Sequence, residues 1–261
     1  MEGKMFSIEE YSRECKKCNK NKPFRVFKIH QIQMLKLYKE CKPIAESIMG
    51  NFNKSAPNGR ERDPDRQFVS LLSGLMAERI IIDILKRIIQ IFDLDIEIEW
   101  DTPSEERDFD YDSHTDMKLI FQGKNEKTVE VRSSLPYAHN LERILNVYFD
   151  IIGPYTTSYK SLESNKDYYG RVLFHVPGQK NITAENFVKI LKNNNLTSYF
   201  VGGASNIDMT QKGESISDKL KMSNAKYIGI KPITYGRDAF ELISIMLNIE
   251  EDNLTQHFKL K

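Results

Sequence analysis

The sequence predicts an α/β fold in which one long helix leads into three strands, a helix and a further strand, with additional C-terminal α/β elements. Three observations carry that expectation. Residues 67–92 (QFVSLLSGLMAERIIIDILKRIIQIF) form an apolar stretch too long for a strand and of helical length. Residues 95–100 (DIEIEW) alternate between acidic and apolar types, the period of a half-buried strand. Residues 117–121 and 128–131 are short apolar runs split by the polar turn GKNEK at 123–127, which reads as a β-hairpin.

The chain has 261 residues, of which 40% are apolar, enough to bury a core and too many for global disorder. No apolar run approaches the ~18–20 residues needed to span a bilayer, and the polar start MEGKMFSIEEY carries no apolar signal core. Three cysteines do not suggest a disulfide framework, so a cytoplasmic protein is expected. The net charge of +1 conceals a division. Residues 93–116 hold 11 acidic and one basic side chain, leaving 37 basic against 26 acidic in the remainder. A basic body of that kind attracts polyanions.

Residues 1–60 are expected to form a basic, mainly helical region, and residues 61–261 the principal domain. Cys15 and Cys18 have the spacing of half a structural zinc site, with His30 and Cys41 as the nearest further ligands. Plain reduced thiols are the alternative. Residues 27–49 have helical character, which Pro43 is expected to kink or split. Residues 54–66 read as a charged loop. In the long helix Gly74 is expected to allow close backbone approach one turn before Glu78, a carboxylate among apolar neighbours. Residues 138–152 are a helix candidate ended by Gly153-Pro154, and 169–176 a strand. Thr183 caps a helix to residue 193, a strand at 198–201 ends at Gly202-Gly203, another covers 226–230, and a helix covers 237–249. His139 and His175 have no nucleophile pattern beside them, and no glycine stretch has the lysine of a phosphate-binding loop.

The chemistry concentrates on the hairpin. Asp116 opens its first strand; Glu130 and Arg132, two apart, share a face of the second, alternating with Val129 and Val131. Two carboxylates and a cation on one edge can hold a hard divalent metal and stabilise a phosphate beside it. Asp110, Asp112 and His114 are also within reach. The stretch resembles the PD-(D/E)xK nuclease superfamily, whose signature is an Asp opening one strand and Glu-x-Lys on the next. Asp116 matches the Asp, Glu130 the acidic position and Arg132 the lysine position. Gly74-x3-Glu78 looks like the superfamily's preceding helix, which carries a Glu that reaches the metal. The resemblance covers residues 67–176.

It implies a restriction-endonuclease-like fold and an Mg²⁺-dependent endonuclease, with Mn²⁺ as a substitute, cutting double-stranded DNA in the manner of type II restriction. Asp116, Glu130 and the Val131 carbonyl would hold the metal, Glu78 would contribute in the outer shell or to a second ion, and a homodimer would cut both strands. Arginine at position 132 departs from the pattern. It keeps the charge but hardly ever gives up its proton, so it acts only electrostatically. Lys118 and Lys127, on the same hairpin, are candidates to replace the lysine. The alternatives are a catalytically degenerate DNA-binding or interaction module, and a repair or recombination nuclease.

Overall fold

The computed structural model describes residues 5–15, 20–49, 63–102, 115–156, 163–217 and 226–259. They form a mixed α/β structure of ten strands and seven helices. In chain order the first strands are β1 (Phe6–Cys15), β2 (Lys20–Ile29), β3 (Ile96–Trp100), β4 (Met117–Phe121) and β5 (Glu126–Ser134). After them come β6 (Ile151–Thr156), β7 (Tyr168–His175), β8 (Thr197–Ser205), β9 (Glu214–Ser217) and β10 (Lys226–Ile230). The main sheet has the order β1-β2-β8-β7-β5-β4-β3, and β6-β10-β9 form a second, smaller sheet. Strands β3, β4 and β5 make an antiparallel meander, while β7 lies parallel to β5.

The N-terminal residues depart from expectation. Instead of a mainly helical region, β1 and β2 form a long hairpin, with Phe6 opposite Ile29 and Cys15 opposite Lys20. The reason is burial on both faces. Phe24 and Val26 enter one hydrophobic cluster, and Phe27 and Ile29 enter the other, a distribution that period-two side chains achieve directly. β2 also pairs with β8, so the hairpin extends the main sheet rather than forming an appendage that ends near residue 60. Arg25 is anchored from within it, donating from Nε to Asp238 at 3.1 Å and pairing with Glu251.

Helix α1 (Gln31–Ile48) runs unbroken through Pro43. Proline removes one helical hydrogen bond, but Pro43 is exposed, where water can satisfy the freed carbonyl. The buried stripe of Met34, Leu37, Cys41, Ala45 and Ile48 holds both halves against one core. Helix α2 (Pro64–Ile91) starts at the Asp63 cap, whose side chain accepts from the Asp65 N–H at 3.0 Å, with proline in the first turn. Fifteen of its residues are buried, Glu78 among them, because α1 and α4 (Ala184–Lys192) cover it on one side and the sheet on the other. Gly74 has open space where a Cβ would stand, so it serves no close approach.

Further along, the helix expected over 138–152 is shorter. It comprises α3 (Leu141–Arg143) and a π-helical turn at 144–148, and β6 starts at Ile151. Gly153 and Pro154 lie inside β6 at the register shift of its pairing with β10, an irregularity that accommodates both without ending the strand. Gly202 and Gly203 likewise sit within β8 and do not end it. Thr183 caps α4 as expected, in a reciprocal capping box with Asn186. Helix α5 (Asn206–Lys212) follows β8 directly, and α6 (Ala239–Leu247) and α7 (Glu251–Lys259) complete the chain. Among the described residues no helix is long and apolar enough to cross a membrane.

Candidate active site

The register of the meander positions the site. Met117 faces Val129, and beyond that pair β4 has ended while β5 continues to Ser134. The next N–H of β5 on that edge, at Val131, would be left unpaired. Asp116 replaces the missing strand partner: its Oδ2 accepts the Val131 N–H at 2.6 Å. The N–H and C=O of one strand residue leave on the same side, so the Val131 carbonyl emerges beside Asp116. Val129 and Val131 enter the core beneath α2, and Glu130 occupies the opposite face, as the period-two pattern predicted.

Glu130 and Asp116 are both buried. Burial is the largest influence on Glu130 and pushes its pKa up to about 8. The Arg132 charge opposes that rise, nearby Asp116 and Glu163 add to it, and Lys166 opposes it. Arg132 accounts for its own influence directly, pairing with Glu130 Oε1 at 2.8 Å and with Glu163 Oε2 at 2.7 Å. Two further carboxylates, Asp116 and Glu163, and two cations, Arg132 and Lys166, therefore surround Glu130, from β5, the mouth of β4 and the segment before β7.

That segment, residues 163–167, is tethered at both ends to β5. Glu163 is held by Arg132; Asp167 accepts from the Thr128 N–H at 2.9 Å and from Lys127 Nζ at 3.0 Å. Between them the Lys166 N–H donates to the Tyr169 hydroxyl at 2.9 Å. Its ammonium donates to Thr115 Oγ1 at 3.0 Å and Ser164 Oγ at 3.2 Å, next to Asp116 in the chain. Lys118 pairs instead with Glu126 at 3.4 Å toward the hairpin turn.

Glu78 arrives from α2 on the other face of the sheet. Its Oε2 accepts from the Trp100 indole N–H at 2.7 Å, and Trp100 is the register partner of Met117. Glu78 is thereby held at the same end of the sheet as Asp116, through β3. Among the described residues no three His, Cys, Asp or Glu side chains gather as a metal-holding group. The proposed pair Asp116 and Glu130 needs the Val131 carbonyl as its third protein oxygen. Asp110, Asp112 and His114 lie outside the described residues.

The zinc expectation is redrawn by α1. His30 stands immediately before that helix and Cys41 within it, so an unbroken helix sets them about 16 Å apart along the axis, too far to share one ion. Cys41 is fully buried in the main core, which pushes its thiol up to about 12. Cys18 lies outside the described residues, as does the side chain of Cys15.

No protein-family model matches the chain, and no solved structure does. A protein of Methanocaldococcus jannaschii, described as uncharacterized protein MJECS01, is 37% identical over 228 residues, covering 80% of both chains. The chain belongs to the MJECS01 family. What this member of the MJECS01 family holds beyond the sequence-derived set is the pair Glu163 and Lys166. They lie more than 30 residues past Glu130 in a stretch without periodicity. The signal available in the sequence was the cation-bearing segment immediately before a strand, which gains meaning only once that strand is paired in parallel with β5.

Proposed function

We propose that the protein is a metal-dependent endonuclease that hydrolyses phosphodiester bonds in double-stranded DNA, in the manner of type II restriction. The observation that carries this reading is the burial of Asp116 and Glu130 together where the meander opens, with the Val131 carbonyl on the same edge. The chain order supports it too: a long helix, an antiparallel three-strand meander, a short helix and, after β6 of the second sheet, a strand parallel to the third follow the order of a restriction-endonuclease-like core with β6 inserted.

The donor set fits a hard divalent cation. It consists of oxygens only, and burial raises the Glu130 pKa in spite of the nearby Arg132 charge, so a carboxylate there has room for a further compensating cation. Bound Mg²⁺ or Mn²⁺ would supply an activated water and neutralise charge at the phosphate. The chain's own residues do the rest. The Val131 N–H orients Asp116, Arg132 restrains Glu130 and Glu163, and Trp100 fixes Glu78 behind the meander. The excess of basic side chains outside residues 93–116 attracts the DNA backbone. Action in the cytoplasm as a homodimer completes the proposal, each protomer cutting one strand.

One observation favours a second reading. Arg132 bridges Glu130 and Glu163, and a guanidinium in that place can replace a metal as the compensating charge. A catalytically degenerate DNA-binding module would have this geometry. Incubation of a long mixed-sequence duplex with Mg²⁺, Mn²⁺ or chelator, comparing wild type with Glu130→Ala, separates the two. Metal-dependent cleavage that disappears in the variant is expected. DNA retention without cleavage in either metal would establish the degenerate module.

A further inference from the structure

We propose that the exposed ring stack of His139 and Tyr148, with Arg143 beside it, is a binding platform for an unpaired nucleobase of single-stranded DNA. The inference rests on the nuclease reading above for its occupant. It deepens that reading by naming a substrate feature, a single-stranded segment next to the duplex.

The local backbone builds the platform. The His139 and Tyr148 rings lie face to face, with centroids 4.0 Å apart and planes within 3° of parallel. His139 holds its place at φ +70°, in the left-handed region that disfavours any residue with a Cβ. Tyr148 closes the π-helical turn, in which the Phe149 N–H donates to the Ile144 carbonyl at 3.2 Å. That wider turn sends Ile144 and Leu145 into the core and leaves Val147 and Tyr148 on the surface, 52% and 39% exposed. Two uncommon backbone conformations thus serve a pair of rings that the protein does not bury. Strain kept for an exposed feature points to a ligand rather than to core packing.

The surroundings hold the stack ready. His175 Nε2 donates to the His139 carbonyl at 3.0 Å, and the Gly178 N–H donates to the Tyr137 carbonyl at 2.9 Å. The Asn140 side chain accepts from the Arg143 N–H at 3.0 Å and so caps α3. Arg143 Nη2 donates to the Tyr148 hydroxyl at 3.0 Å, and the guanidinium carbon is 5.5 Å from the centre of the Tyr148 ring. Among the described residues no carboxylate pairs with Arg143, which leaves its charge for a phosphate. Ring faces with a cation beside them suit single-stranded DNA, because every base has a π-face and the backbone is anionic. Bases inside a duplex already stack on one another, so the platform selects an unpaired one.

The platform also stands on the correct side of the sheet. Leu141, Ile144 and Leu145 pack in one cluster with Tyr169, the register partner of Glu130 in the neighbouring strand. From Glu130 the chain runs about 13 Å to Ser134 at the end of β5, and about 10 Å further to Tyr137. A DNA strand rising about 3.4 Å per nucleotide covers that length in roughly seven steps.

The test uses duplexes with a single-stranded overhang carrying 2-aminopurine, a base whose fluorescence falls when it stacks, at successive positions. Binding is measured in chelator, and wild type should quench the probe. In His139→Gly the glycine accepts the left-handed backbone, so the urea midpoint should stay at the wild-type value. Quenching should disappear and overhang affinity should fall ~5–100-fold, the scale of one lost base–aromatic stack. Tyr148→Phe should quench as wild type does, and Tyr148→Ala should not. Arg143→Gln should lower the salt slope of binding by about 0.7, the share of one single-strand phosphate contact. A purely structural stack gives the opposite pattern: His139→Gly and Tyr148→Ala lower the urea midpoint and leave quenching and affinity intact, which overturns the proposal. Wild type that binds DNA without quenching the probe at any position overturns it alone. Quenching by a wild type that cuts no DNA in Mg²⁺ keeps the platform and sinks the nuclease reading, and binding to neither overhang nor duplex, with Mg²⁺ or chelator, sinks both.

Discussion

Replacing Glu130 by Gln should stabilise the metal-free protein at alkaline pH, although it removes half of an ion pair. In the unfolded chain this carboxyl loses its proton near 4.5, and in the folded protein it keeps it to about 8. Between those values the folded state holds a proton that the unfolded state has released. Stability therefore falls as pH rises through the window, by at most ~1.4 kcal/mol per unit, and below the lower value nothing is lost. Gln has no such proton and still offers Arg132 an acceptor oxygen. Urea unfolding in chelator should find the two proteins within ~1 kcal/mol at pH 4.5 and the variant ahead by about 2–5 kcal/mol at pH 9. Mg²⁺ at pH 8 should raise the wild-type midpoint and leave that of the variant in place, because a cation bound only by the folded state adds to its stability. Equal pH dependence in the two proteins would mean that burial does not penalise the Glu130 charge, and the case for a cation there would lose its main support.

Three further outcomes follow from other parts of the chain. Gly202 has φ +102°, and a Cβ there would stand 2.1 Å from the Arg237 carbonyl oxygen, so Gly202→Ala should cost at least ~3 kcal/mol in urea unfolding; a smaller loss would show that β8 and the residues before α6 can separate. Cys41, fully buried and pushed up to about 12, should resist a thiol reagent at pH 8 until the protein unfolds. Metal analysis should then find any bound zinc lost in Cys18→Ser and kept in Cys41→Ser, and zinc loss in the latter would return Cys41 to the ligand set.

The hairpin that carries Asp116, Glu130 and Arg132 was legible because its information is local. Val129 and Val131 alternate with Glu130 and Arg132, and period-two geometry sends the pairs to opposite faces whatever surrounds them. The long α2 was equally clear, since a stretch of that length and apolarity has one regular structure available. Where the reading missed, competing preferences were settled by distant partners. The basic residues of the first segment say little about helix or strand, and pairing of β2 with β8 decided the matter. Gly202-Gly203 looks like a strand end, yet both glycines remain in β8 because the chain at Arg237 and Tyr169 approaches too closely for side chains. Pro43 looks like a helix break, yet the stripe on either side of it packs on one core.

By itself, then, the sequence determined the alternation of faces on β5, the long helix before it, and the gathering of Asp116, Glu130 and Arg132 on one hairpin. These depend on spacings of a few residues, which backbone geometry converts directly into direction. The tertiary structure alone decided that Arg132 would be taken up by Glu163 and that Lys166 would stand beside Asp116. Both results come from laying β7 parallel to β5, a pairing that requires a crossover and brings residues 163–167 back to a strand more than 30 residues earlier in the chain.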